Sequence, residues 1–177
     1  VGCMEPAATR TLHQFQHENL LVVISAMGKT TNALEKVVQA FYEKRNEEAL
    51  QLFEQVKRQH LNTVKYLLVT HALACEEQLK NFFTEVEWML HDKPVREYDY
   101  YYDQIVCTGE LMSTAIVSAY LNEIGLQNQW IDVRDTFRTD DNFRDATINF
   151  TYTQNQVTQQ VKPLFDKVNI VITQGFI

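Results

Sequence analysis

Val22-Val23-Ile24-Ser25-Ala26-Met27-Gly28-Lys29-Thr30-Thr31-Asn32 is the stretch that decides the fold. Apolar residues run into a turn of small residues. The turn opens onto Leu34, Val37, Val38 and Phe41, which recur at helical spacing. A buried strand feeding a helix through such a turn is the unit of a parallel α/β sheet, with strands covered on both faces. Ligands of such sheets sit at the carboxyl ends of strands, beside helix N-termini. The reading predicts a strand over Leu20 to Ala26 and a helix capped by Thr30 or Thr31.

Working outward, residues 10–18 read as an amphipathic helix with Leu12, Phe15 and Leu20 inward. Beyond Phe41, helical stripes follow at Ala49-Leu52-Phe53-Val56, Leu61-Val64-Leu67-Leu68 and Leu79-Phe82-Phe83-Val86-Leu90. Residues 47–92 contain no Gly and no Pro, which predicts an all-helical insertion ending before Pro94. A helix from Gly109 carries Met112, Ala115, Ile116, Ala119 and Tyr120 on one face and closes at Gly125. Trp130 to Val133 reads as a short strand, and Thr147 to Tyr152 alternates as a half-exposed strand does. Gln154 to Phe165 reads as a helix with Val157, Val161, Leu164 and Phe165 inside. Val168 to Thr173 is the last buried strand, stopping at Gln174-Gly175-Phe176. The expected class is α/β, with a central, mostly parallel sheet and helices on both faces.

Composition narrows the function. The 177 residues suit one domain, or a large piece of one, and 45% hydrophobic content supports a core. A net charge of -7, from 16 Lys+Arg against 23 Asp+Glu, disfavours nucleic acid and anionic membrane as partners. Cys3, Cys75 and Cys107 form no Cys-x-x-Cys pair, so they read as small buried hydrophobes in a reduced, cytoplasmic setting. There is no apolar run long enough to span a membrane and no signal peptide at Val1-Gly2-Cys3-Met4. The chain opens without an initiator Met and stops just after a strand, so we expect an internal piece of a longer protein.

Several residues carry chemical signals. Gly28-Lys29-Thr30 tempts a phosphate-loop assignment, but Val23 stands where that motif needs its first glycine. Ser25 and Thr31 can still face a ligand, or serve only to end a strand and start a helix. Glu110 near a helix start is either favoured by the helix dipole or recognises a cationic group such as an α-ammonium. Asp132 and Arg134 either pair with each other or line a cleft. His13 and His17 have helical metal-ligand spacing but no third ligand, and read as a solvated face. Asn149-Phe150-Thr151 fits a glycosylation sequon by accident, and no Ser/His/Asp or Cys/His nucleophile motif is present.

Four segments in order resemble bacterial aspartate kinase. They are Ser25-Ala26-Met27 with Thr31-Asn32; Thr108-Gly109-Glu110-Leu111; Asp132-Val133-Arg134 with Arg138-Thr139-Asp140; and Val171-Ile172-Thr173-Gln174-Gly175-Phe176-Ile177. The resemblance runs from about Leu20 to Ile177, with Val1-Gly2 similar to the tail of the family's glycine loop. It implies the amino-acid kinase fold, a three-layer αβα sandwich, of which residues 1–177 would be the amino-acid-binding half. It implies phosphorylation of the L-aspartate side-chain carboxylate with ATP and Mg2+, a step toward lysine, threonine and methionine. The nucleotide half, the regulatory ACT domains and the homo-oligomer contacts would lie outside this chain. By the same resemblance Thr31 would bind aspartate and Glu110 would hold its α-ammonium. Ser25 would lie near the substrate carboxylate, and Gly175 and Phe176 would border the pocket. No catalytic residue is implied within the chain, and Lys29 does not replace the absent lysine of the glycine loop. The rival expectations are a non-catalytic fragment and a family member acting on another acid.

Overall fold

The computed structural model describes residues 12–15 and 17–176. Val1-Gly2, Cys3 and part of the helix expected over residues 10–18 fall outside them, although residues 12–14 are helical. Three strands, β1 (Leu20–Val23), β2 (Asn128–Trp130) and β3 (Ile170–Thr173), form one parallel sheet in the order β1-β3-β2. Leu20 pairs with Ile170 and Val23 with Thr173, while Asn128 pairs with Ile170 on the other side of β3. β3 is buried at all four positions, as the unbroken apolar run predicts for a central parallel strand.

β1 departs from the expectation of cover on both faces. It alternates, with Leu21 54% and Val23 58% exposed, because it is an edge whose only described partner strand is β3. Its other face, with Leu20 and Val22, packs with Ile170 and Ile172 against Val117 and Leu121.

The expected helical stretch is present. It consists of α2 (Asn46–Leu67) and α3 (Ala72–His91), preceded by α1 (Thr30–Tyr42) and followed by α4 (Tyr98–Val106) and α5 (Thr108–Glu123). Leu34, Val37, Val38 and Phe41 of α1 are wholly buried, as their spacing predicts. Phe53 of α2 meets Phe83 of α3 edge-on at 6.2 Å between ring centroids, and both belong to the main core. α5 is buried around nearly its whole circumference, from Leu111 to Ile116 and again at Ser118 and Leu121. It touches α3 and α4 as well as β2 and β3, so it is the layer between helices and sheet. Its end is a Schellman closure: Gly125, at φ +84°, donates to Asn122 O, and Leu126 N donates to Leu121 O at 2.8 Å. The arrangement is that of a three-layer αβα sandwich. Among the described residues no helix is long and apolar enough to cross a membrane.

Three segments fold differently from expectation. The strand expected over Trp130 to Val133 lies earlier, at Asn128–Trp130, and Val133 opens a 3₁₀ turn whose Arg134 N donates to the Asp132 side chain. Thr147 to Tyr152 is no strand: only an isolated antiparallel bridge joins Thr139 and Ile148, and helix α6 (Phe150–Gln156) begins within the segment. Local capping decides this. The Asn149 side chain accepts from Tyr152 N at 3.0 Å, which satisfies a first-turn donor. The helix expected over Gln154 to Phe165 breaks into the end of α6, a π-turn at Val157–Val161 and a 3₁₀ turn at Lys162–Asp166 that carries Pro163 at its start. Only Val161 of its four expected core residues is buried, the others being half-buried.

His60 on α2 adds a titratable group to the core. It is fully buried; its Nδ1 lies 2.8 Å from Val56 O, and Nε2 has no partner among the described residues. Burial holds its pKa below 6.5, the Val56 bond opposing only in part. The unfolded chain therefore takes up a proton that the folded chain refuses. Stability is complete above 6.5 and falls as pH drops below it, with a limiting slope of about 1.4 kcal/mol per pH unit. Urea unfolding across this range should show that limb, and His60→Leu should flatten it. An unchanged limb in the variant would show that other groups carry it.

Candidate functional site

The carboxyl ends of β1 and β3 meet the start of α5, and three of the five expected site residues, Glu110, Gly175 and Phe176, are joined there. The loop after β1 turns at Gly28, whose φ of +58° is the left-handed region that glycine tolerates. Neither Thr30 nor Thr31 caps α1 in the expected way. The first helical residue is Thr30, and its hydroxyl donates backward to Met27 O at 2.6 Å, closing the turn. This loop is pressed onto α5 at Gly109. A Cβ there would lie 3.0 Å from Leu34 Cδ1, 3.1 Å from Thr30 Cγ2 and 3.3 Å from Ala26 Cβ.

One residue further, the Glu110 side chain crosses to the turn after β3. Its Oε2 accepts from both Gly175 N and Phe176 N, each at 2.8 Å. Its Oε1 bonds to no described residue. Gly175 in turn lies against β1, where a Cβ would come within 3.1 Å of Val23 Cγ1. The first turn of α5 offers little free dipole to Glu110. Cys107 has helical dihedral angles and joins α4 to α5, and its carbonyl accepts from both Glu110 N and Leu111 N. What fixes the carboxylate is the pair of backbone donors from the β3 turn.

Glu110, Gly175 and Phe176 are thus joined directly. Ser25 is exposed two residues beyond β1, and Thr31 is half-buried in the first turn of α1. Neither bonds to those three residues, and neither lines the pocket beside Gly175 and Phe176.

A second network braces the turn after β3 from the other side. Gln174 is buried, and its Nε2 donates to Asp132 Oδ1 at 2.7 Å. Asp132 also receives Arg134 Nε at 2.9 Å and Nη2 at 2.7 Å, a bidentate grip, and Arg134 reaches on to Glu85 at 3.3 Å. Burial alone would lower the Arg134 pKa, but the Asp132 bonds outweigh it and hold the guanidinium charged. Asp132 and Arg134 therefore pair, and through Gln174 they fix where Gly175 begins. Burial pushes the Cys107 thiol up to about 12, and that of Cys75 likewise, so both are inert at neutral pH.

Beside Gly175 and Phe176 opens a pocket of about 230 Å³, walled also by Asp103, Thr139 and Arg144. A wider concavity of about 930 Å³ lies at the far helical end, between Lys44–Glu48 and His91–Pro94. There Arg45 is already paired with Glu43 and Glu48, and no strand end is near. The smaller pocket is the better candidate. Sequence reasoning missed Asp103, Arg144 and Gln174. Asp103 did leave a signal, an acid between Tyr101 and Ile105-Val106 on an otherwise apolar face.

The chain belongs to the amino acid kinase family, whose pattern it matches over residues 6–177. Its relatives are aspartokinases. It is 28% identical over 157 residues to lysine-sensitive aspartokinase 3 of Escherichia coli (strain K12), covering 89% of this chain and 34% of that protein. It is 35% identical over 141 residues to chloroplastic aspartokinase 2 of Arabidopsis thaliana, covering 76% of this chain and 25% of that protein. In fold it matches the crystal structure of E. coli aspartokinase III in complex with lysine and aspartate (T-state). The TM-score is 0.72 at 25% identity, covering 96% of this chain and 37% of that one. The R-state structure of the same enzyme, in complex with aspartate and ADP, gives 0.70 at 26% identity. The chain spans between about a quarter and somewhat over a third of the length of these relatives.

Proposed function

We propose that the protein is an aspartate kinase, forming 4-phospho-L-aspartate from ATP and L-aspartate on the way to lysine, threonine and methionine, and that it works in the cytoplasm. Residues 1–177 are read as the amino-acid-binding half of its catalytic domain. The observation that carries this reading is the Glu110 carboxylate locked onto Gly175 and Phe176 at the strand ends. Together they form a rigid, acid-bearing rim beside a pocket of amino-acid size. Glu110 Oε1, which bonds to no described residue, would take the α-ammonium, and by the family resemblance Ser25 and Thr31 would contact the same substrate.

The acceptor carboxylate is ionised at neutral pH, so the residues of this chain need supply no general base. Their work is to bind, orient and exclude water. ATP would supply the γ-phosphoryl group, with Mg2+ neutralising its charge. Among the described residues no group of three His, Cys, Asp or Glu could hold a metal, and the loop after β1 has a single glycine.

The test is a hydroxylamine trap of the acyl phosphate. The protein containing this chain should give hydroxamate with L-aspartate and ATP and little with L-glutamate. The 177-residue chain alone should give none. Product from glutamate but not aspartate would replace the substrate, and full activity of the chain alone would overturn its reading as a half-domain.

A further inference from the structure

The pocket beside Gly175 and Phe176 has one fixed wall and one wall made by a hairpin. On the fixed side Glu110 clamps Gly175 and Phe176, and Asp103 stands on α4. On the other side Thr139, Arg144, Ala146 and Ile148 all come from residues 139–148. That hairpin is organised by its own bonds. Thr139 and Ile148 form the bridge at its base. Asp140 Oδ1 accepts from Asn142 N at 3.2 Å and from Thr147 N at 3.0 Å, and Asn142 Nδ2 donates to Asp145 O at 3.0 Å.

The tip of the hairpin rests on α4. The Phe143 ring meets Tyr100 edge-on at 5.2 Å, and the Arg144 guanidinium lies 4.2 Å from the centre of the Tyr102 ring. Arg144 also reaches Asp99 at 3.4 Å, a long contact between two half-exposed side chains that holds little. The short bond comes from the backbone: Arg144 N donates to Asp103 Oδ2 at 2.7 Å across 41 positions of sequence.

This fastening works against two penalties. Arg144 stands at φ +65°, a conformation that non-glycine residues rarely adopt. Asp103 is only 7% exposed, and its Oδ1 is buried with no partner among the described residues. Both penalties vanish when the tip lifts, because Arg144 relaxes to negative φ and water reaches Asp103. The bond and the two ring contacts oppose them. Opposed contributions of this kind leave a shut and a lifted state close in free energy, so that a ligand can choose between them.

We propose that residues 139–148 are a lid over this pocket and that Asp103 is its latch, a positioning residue that acts through Arg144 N. The inference rests on the aspartate-kinase reading and adds a closing step to it. A ligand in the pocket meets the fixed wall and the lid together, so it favours the shut state. Closure keeps water from the pocket while the acceptor carboxylate is held. The hinge is the base of the hairpin, where Asn149 N donates to Arg138 O at 2.8 Å.

Amide hydrogen exchange and stopped-flow binding of L-aspartate, on the protein containing this chain and its variants, test the lid. In wild type, saturating L-aspartate should slow exchange across residues 139–148. Asp103→Ala should speed exchange there without ligand, and should raise the L-aspartate dissociation rate, each by about ten- to a hundredfold, the range for losing a hydrogen bond to a charged group. Its association rate should not fall. Asp103→Asn still offers an oxygen to Arg144 N and should recover part of both effects. Arg144→Gly keeps the N–H and suits the left-handed backbone, so its hairpin should exchange more slowly than that of Asp103→Ala. Wild-type exchange across residues 139–148 that is the same with and without bound L-aspartate would overturn the lid, and this comparison stands even if Asp103→Ala fails to fold. Equal loss of protection in Arg144→Gly and Asp103→Ala would place the fastening in the arginine side chain and overturn the latch. Either result leaves the aspartate-kinase reading in place. Failure of the wild-type protein to bind L-aspartate would remove that reading, and this inference with it.

Discussion

An Asp132→Ala variant is expected to lose about 3 kcal/mol of stability, the low end of the range for stripping one partner from a buried ion pair. The low end applies because the Arg134 side chain remains 32% exposed and keeps a contact to Glu85. Two groups suffer at once. The guanidinium loses its bidentate acceptor, and the buried Gln174 amide loses the oxygen 2.7 Å away. Asp132→Asn should cost less, because an amide oxygen can still accept from Gln174. Urea unfolding, with m unchanged, is the measurement. A loss below about 1 kcal/mol, the ordinary worth of an exposed pair, would show that the network adds nothing beyond surface electrostatics. Arg134→Met should cost less than Asp132→Ala, since it leaves the Asp132–Gln174 bond in place.

Glu110→Ala should cost about 2 kcal/mol, within the range for hydrogen bonds to a charged group and lessened because water can reach the exposed Gly175. Amide exchange at Gly175 and Phe176 should accelerate, since both N–H groups lose the acceptor 2.8 Å away. Glu110→Gln separates clamping from recognition. An amide oxygen can still receive both N–H groups, so stability should fall by no more than about 1 kcal/mol. If Glu110 also holds the α-ammonium, L-aspartate affinity in Glu110→Gln should fall about ten- to a hundredfold. An analogue without the α-amino group, already a poor ligand, should be unaffected. Equal losses on both ligands would leave Glu110 a clamp alone.

Much of this was readable from the chain because burial imposes periods. The i, i+3, i+4, i+7 stripe of α1 and the unbroken run of β3 are direct imprints of what each element packs against. Glu110, Gly175 and Phe176 were found together because each lies at the end of such an element. The reading failed where a local bond competes with a pattern. Thr147 to Tyr152 alternates, yet Asn149 caps a helix there. It failed again where topology decides exposure: an apolar run cannot say whether its strand is central, as β3 is, or an edge, as β1 is. Arg144 gave no signal. Its place on the pocket wall comes from a bond to Asp103 across 41 positions and from a tyrosine ring beneath it.

The strand order β1-β3-β2 also sets a schedule for folding. β1 and β2 do not pair with each other, and both wait for β3, which enters the chain last. Leu20 must therefore find Ile170 across 150 positions of sequence before the sheet exists. The α2–α3 hairpin, by contrast, closes over a short turn and can form early. Until β3 slides between its neighbours there is no junction for Glu110 to clamp, so this clamp waits on the longest-range strand pairing among the described residues.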